Sequence, residues 1–238
     1  MNVRGRLLTR YFRGRAGRRF ARVMVRGIDR MAPWEPDGAA REPLVIVANH
    51  SSWWDAVMPV IISRSIRHHD GYGLMDRGQF ERYRFFRHVD ILPIDRGNPR
   101  AAMRSLHEIA ELLRDRKRMV WMFPQGKIAP NDIRPLVCES GVAHLVGMLG
   151  ACSVIPVAFR YEVGRDELPV AYAGIGEARS FRDAPPAREL TALIGGMLTG
   201  ELDRLRDDLL AERTDGFQVA LQGSGSVNDR WDRARGLE

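Results

Sequence analysis

Five apolar residues, Leu44-Val45-Ile46-Val47-Ala48, run directly into Asn49-His50-Ser51-Ser52-Trp53-Trp54-Asp55. A short continuous apolar run suits a strand buried on both faces, the environment of a parallel sheet between helical layers. The polar residues that follow therefore stand where the chain leaves the sheet. His50 and Asp55 are five positions apart, and in a regular helix that offset turns two side chains about 140° away from each other. They meet only if His50 lies in the loop and Asp55 in the first helical turn. Ser52 suits the N-cap, and Asp55 falls three residues later, where a carboxylate suits a helix N-terminus. A carboxylate on one imidazole nitrogen fixes the tautomer and leaves the other nitrogen as a general base. A structural reading uses the same residues, with Asp55 only capping a helix and His50 only bonding within its loop. This segment alone admits both.

The strand-then-polar pattern recurs. A strand over 89–94 leads to Asp95-Arg96, and one over 119–123 leads to Pro124-Gln125-Gly126-Lys127. Further strands are expected at 71–75, 153–159 and 170–175. Between them, Asn98-Pro99 reads as an N-cap with proline at the first helical position. The helix it opens places Ala102, Met103, Leu106, Ile109, Ala110 and Leu113 on one face. Ser140 is expected to cap a helix through Met148. Leucines from Leu190 to Leu209 mark a long amphipathic helix weakened by Gly195, Gly196 and Gly200. This alternation predicts an α/β fold, a largely parallel central sheet flanked by helices. Ligands in such sheets bind at the carboxyl ends of the strands, where His50, Arg96 and Gln125 all fall.

Charge is unevenly spread. Residues 1–30 hold ten arginines against one acid, Asp29, for a net of +9. The whole chain is +7, so the other 208 residues carry −2. Leu7, Leu8, Tyr11, Phe12, Phe20, Val23, Met24 and Ile28 are interleaved with the arginines. Such a segment is expected to be a basic amphipathic helical stretch lying on an anionic membrane surface, apolar groups in the acyl boundary and guanidinium groups on the headgroups. A basic arm for nucleic acid has the same composition. The body offers no basic stripe to continue it, so nucleic acid is not an expected partner. No apolar stretch approaches the roughly 18–20 residues of a membrane span, and residues 1–30 hold no signal-peptide apolar core. The expected organisation is a membrane-binding segment over 1–35, a catalytic domain over 36–215 and a loose tail over 216–238. Within the first boundary, the prolines between Met31 and Pro43 read as a linker. The two cysteines, Cys138 and Cys152, have no metal-ligand spacing and read as buried spectator thiols, which fits a reducing compartment.

Taken together, these blocks resemble the glycerolipid acyltransferase family, which includes the 1-acylglycerol-3-phosphate acyltransferases. The family's Asn-His-x4-Asp block is Asn49 to Asp55 here. Its second block resembles Ile91 to Arg96, its Phe-Pro-Glu-Gly-Thr-Arg block resembles Phe123 to Ile128, and its fourth resembles Val154-Ile155-Pro156-Val157. The chain departs from the pattern at Asp90 for glycine, Gln125 for glutamate, Lys127 for threonine and Ile128 for arginine.

The resemblance implies transfer of an acyl chain from acyl-CoA or acyl-carrier protein to a hydroxyl of a lysophospholipid-type acceptor. The enzyme would be peripheral, at the cytoplasmic face of the cell membrane. His50 is the expected base and Asp55 its orienting partner. Arg96, Gln125, Gly126 and Lys127 are the expected substrate-binding residues, with the Gly126 amide a candidate oxyanion donor. No metal and no cofactor beyond the acyl carrier is implied. Loss of the block's arginine to Ile128 leaves a non-phosphorylated acceptor as an alternative, with Lys127 or Arg134 able to replace the charge. A non-catalytic membrane-binding protein of the same fold is the alternative of another class.

Overall fold

The computed structural model describes residues 3–35, 38–65, 70–88, 90–114, 118–164, 167–224, 231 and 234–236. Its strands are β1 Arg22–Arg26, β2 Leu44–Ala48, β3 Asp70–Asp76, β4 Ile91–Ile94, β5 Arg118–Met122, β6 Cys152–Glu162, β7 Val170–Ile175, β8 Arg179–Phe181 and β9 Phe217–Gln222. They form one sheet in the order β4-β3-β5-β2-β6-β7-β1-β9, with β8 pairing β6 off that path. Pairing is parallel from β4 through β6 and again between β1 and β7, and antiparallel at β6/β7, β6/β8 and β1/β9.

Alternation along β2 divides the core between the two sheet faces. Leu44, Ile46 and Ala48 pack on one face with Phe12 and Phe20 from the N-terminal region and with Ile61 and Ile62 of helix α2, Met58–Ser65. Val45 and Val47 face the other way, toward helices α4 Pro99–Arg114, α5 Gly141–Leu149 and α6 Ala187–Leu210. All five residues of β2 are buried, as their continuous apolar run requires. The predicted cap of α4 forms: Asn98 Oδ1 accepts from the amides of Arg100 and Ala101 at 2.8 and 3.3 Å. Ser140 occupies the N-cap position of α5, but its side chain makes no capping bond.

At the ends of the chain, the expected N-terminal helix is present, but strands extend further than expected. The basic segment divides into helix α1, Val3–Arg19, and strand β1. Val23 and Val25 are buried in the sheet between β7 and β9, so they cannot enter a lipid boundary. Nor do Phe12, Ala16 and Phe20, which belong to the core. The supposed tail contributes β9, although residues 225–230 lie outside the described ones. The supposed linker is also packed: Ile28–Trp34 forms a 3-10 helix that buries Met31 and Trp34, and the Trp34 indole N–H donates to Glu42 O at 3.1 Å.

Candidate active site

The parallel half of the sheet delivers polar residues to one edge. His50 follows β2, Asp76 ends β3, Arg96 follows β4, Gln125 follows β5 and Tyr161 lies near the end of β6. That edge opens on a cleft of about 1580 Å³ lined by His50, Arg96, Glu139 and many apolar side chains. The volume exceeds the roughly 300–1,000 Å³ of an ordinary small-molecule pocket and leaves room for an alkyl chain.

Ser52 and Asp55 form the predicted reciprocal cap on a short 3-10 helix, Trp53–Ala56. Ser52 Oγ accepts from the Trp54 amide at 3.2 Å, while Asp55 Oδ2 accepts from the amides of Ser51 and Ser52 at 2.6 and 2.7 Å. The same oxygen lies 2.9 Å from His50 Nδ1. Its partner oxygen, Oδ1, accepts the Tyr161 hydroxyl at 2.5 Å. A fully buried carboxylate is tolerated only when its lone pairs are met, and here both oxygens are. Burial first, and the Asp55 charge second, push the Tyr161 phenol well above its ordinary range, so it stays a donor.

The backbone of the histidine is held on both sides. His50 N–H donates to Gln125 Oε1 at 2.7 Å, and His50 O accepts from the Ala129 amide at 2.8 Å. Its ring lies 4.7 Å from that of Phe123. Asn49 closes the end of the strand pair: its side chain donates to Phe159 O at 3.0 Å and accepts from Phe159 N at 2.6 Å. It also donates to Asn131 Oδ1 at 2.7 Å. With Nδ1 committed to Asp55, Nε2 is left for the cleft. This is a base-and-orienter geometry, assembled from a loop that has little freedom to move.

The other expected residues are placed differently. Gln125 is buried beneath the loop and supports His50, rather than lining the cleft. Its amide oxygen does for the His50 N–H what a glutamate oxygen would. The Gly126 amide donates to Phe123 O at 3.0 Å, so it is already satisfied and is no oxyanion donor in this arrangement. Lys127 is exposed and is not among the described residues lining the cleft, whereas Ile128 is. Arg134 is committed elsewhere, to Asp203 at 2.6 Å and to main-chain oxygens at its own turn.

Arg96 does reach the cleft, and its partner is Glu139 at 2.5 Å, not the adjacent Asp95. Its second guanidinium nitrogen donates to Gly126 O at 2.6 Å. Glu139 and Tyr161 both escaped the sequence reading. Tyr161 lies 106 positions from Asp55 along the chain, and no local pattern links them. Burial raises the thiols of Cys138 and Cys152 to about 11 and about 12, as suits unreactive cysteines. No metal-ligating cluster occurs among the described residues.

A largely parallel sheet that carries a carboxylate-paired histidine into the lining of a large, mostly apolar cleft defines the class, an α/β protein flanked by helices. The acyltransferase family model matches residues 22–160, and the chain belongs to that family. It is 25% identical over 158 residues to the 1-acyl-sn-glycerol-3-phosphate acyltransferase of Streptococcus pneumoniae, a match covering 60% of this chain. The chain spans only 55% of that relative's length. The crystal structure of the 1-acyl-sn-glycerophosphate acyltransferase PlsC from Thermotoga maritima superposes with a TM-score of 0.59 at 17% identity. That superposition covers 84% of this chain and 79% of the other, and the likeness is one of fold.

Proposed function

We propose that the protein is an O-acyltransferase that moves an acyl chain from acyl-CoA or acyl-carrier protein to the hydroxyl of a lysophospholipid-type acceptor. The observation that carries this reading is the His50–Asp55 contact of 2.9 Å at the wall of the cleft. A neutral alcohol attacks a thioester slowly. As its oxygen bonds to the carbonyl carbon, its proton passes to His50 Nε2, and Asp55 stabilises the imidazolium that forms. Collapse of the tetrahedral adduct breaks the carbon–sulfur bond, and the thiolate leaves with the proton returned from His50. No acyl-enzyme is required.

The acceptor would be drawn from a membrane surface. Leu7 and Tyr11 on α1 are exposed, as are Trp53, Tyr83 and Phe85, and all but Leu7 line the cleft. Arginines stand over two of these rings, Arg15 over Trp53 and Arg82 over Tyr83. An aromatic and arginine rim suits the interface of an anionic bilayer. No described helix is long and apolar enough to cross one.

The test is thiol release from acyl-CoA and from acyl-carrier protein, with lysophospholipid acceptors in anionic vesicles. Acceptor-dependent release that disappears in His50→Ala is the expected result. Release that persists in that variant would remove the general base from the reading. Vesicle binding without any transfer would favour a non-catalytic protein.

A further inference from the structure

The polar end of the cleft holds a closed charge pair, and its construction is specific. Arg96 and Glu139 come from loops 43 residues apart and meet directly over Gly126. A Cβ at Gly126 would stand 2.5 Å from both Arg96 Nη2 and Glu139 Oε1, so the pair occupies the space that the missing side chain leaves. The backbones beneath are pinned to the same turn. The Glu139 amide donates to Pro124 O at 2.8 Å, and the Gly126 amide to Phe123 O at 3.0 Å. Among the described residues lining the cleft, the formal charges are Arg15 and Arg96 against Asp76 and Glu139. The cleft is therefore balanced, apart from its histidines.

That balance disfavours a phosphate monoester. A dianion that takes Arg96 must displace Glu139, leaving a carboxylate unpaired beside it, and the other arginine of the lining, Arg15, stands over the Trp53 ring. Ile128 is apolar, Lys127 is outside the lining and Arg134 is held by Asp203. A zwitterion exchanges both partners at once, its anion onto Arg96 and its cation onto Glu139. We infer that Glu139 determines acceptor specificity, making this end of the cleft a paired-charge site for a hydroxylated lipid with a zwitterionic head group. The inference rests on the acyltransferase reading for its reaction, but not for its binding site.

The experiment uses the full chain with acyl-CoA and two acceptors in identical mixed micelles, a lysophosphatidylethanolamine and 1-acylglycerol-3-phosphate. Wild type is expected to favour the zwitterion about tenfold in kcat/KM, the scale of one carboxylate facing a phosphate in a solvent-screened site. Glu139→Gln should erase that preference through a lower KM for the monoester with kcat little changed, and Glu139→Asp should restore it. A wild-type preference for the monoester, or a ratio that Glu139→Gln leaves alone, overturns the inference. Calorimetry with glycerophosphoethanolamine and glycerol 3-phosphate supplies a second readout that needs no turnover. If neither acceptor is acylated while the two probes are still ranked by Glu139, the acyltransferase reading fails and the paired-charge site stands. Equal or absent binding of both probes in wild type and Glu139→Gln overturns the site.

Discussion

The two polar ends of the cleft are built in opposite ways. Around His50, the hydrogen bonds come mainly from buried or half-buried groups: Asp55 is fully buried, and the loop is tied to β6 through Asn49 and to the turn after β5 through Gln125. Around Arg96, the partners are more exposed, 37% for the arginine side chain and 55% for Glu139, and the contact is an ion pair screened by water. The first end can hold a reacting atom in place because rearranging it would strand buried polar groups. The second can exchange partners at modest cost, because both of its side chains are open to water. Variants at the first end should therefore reduce turnover, and variants at the second should shift KM or partner preference.

The strongest way to break this contrast is His50→Ala. Turnover should fall by about 10²–10⁴-fold, the usual contribution of a positioned base, with the fold retained. Asp55→Asn should also lower turnover steeply by favouring the wrong tautomer, and it disturbs the cap as well. Steady-state assays beside circular dichroism check both. More than about a tenth of wild-type turnover in His50→Ala would contradict the proposed chemistry.

Membrane contact gives the next largest effect, and the fold dictates how it must be tested. Removing residues 1–30 would delete β1 from the sheet, so lost binding would say nothing about α1. Arg6 and Arg10 are exposed on α1 and can be replaced without touching the core. At roughly 1 kcal/mol per basic residue at an anionic surface, Arg6→Ala with Arg10→Ala should weaken anionic-vesicle partitioning by about 30-fold. Partitioning to neutral vesicles should hardly change. Co-sedimentation on both vesicle types measures this, and an equal loss on both would point to apolar contact instead.

Gly126→Ala sharpens the comparison at the Arg96 end. Gly126 has φ +67°, and the added Cβ collides with the Arg96–Glu139 pair. The left-handed conformation alone costs an alanine about 1–2 kcal/mol. Acceptor KM should rise about tenfold once the pair is displaced. Because the Gly126 amide is already bonded within its turn, kcat should change little. A large fall in kcat with constant KM would return the glycine to the reacting carbonyl.

The sequence revealed the His50 end of the cleft better than the Arg96 end, for a physical reason. His50, Ser52 and Asp55 lie within one turn of chain, so capping chemistry and helical geometry predict their meeting. The strands β2, β5, β6 and β7 were similarly legible as apolar runs, and α4 as an amphipathic period with its cap. β1 was hidden because Val23 and Val25 alternate among arginines, and the charge of the segment outweighed the period of two. β9 has its partner about 195 positions away, at Arg22–Arg26, and nothing near Phe217 announces it. The Arg96–Glu139 pair and the Tyr161–Asp55 bond are likewise products of sheet order, which brings β4, β6 and the segment before α5 to one edge. Gln125 is legible as a motif position, but only the folded loop shows that its oxygen accepts from the His50 amide.

The smallest expected effect on rate comes from Tyr161→Phe, which tests whether the buried end depends on complete hydrogen bonding. The ring stacks on Phe20 with centroids 5.6 Å apart, and phenylalanine keeps that contact. What is lost is the donor to Asp55 Oδ1, and leaving a buried acceptor short should cost about 1–3 kcal/mol of stability. Turnover should fall only several-fold, because His50 and the two serine amides still hold Oδ2. The pH dependence separates this from a packing defect. The folded-state phenol is raised above its ordinary 10.0, so its stabilising contribution is complete below that value and is lost as pH rises further, where the unfolded chain ionises first. The stability gap between wild type and Tyr161→Phe should therefore be full at neutral pH and narrow on the alkaline side of 10.0. Denaturant melts at the two pH values measure the gap. A gap that is absent at neutral pH, or that widens in alkali, would show that Asp55 does not rely on Tyr161.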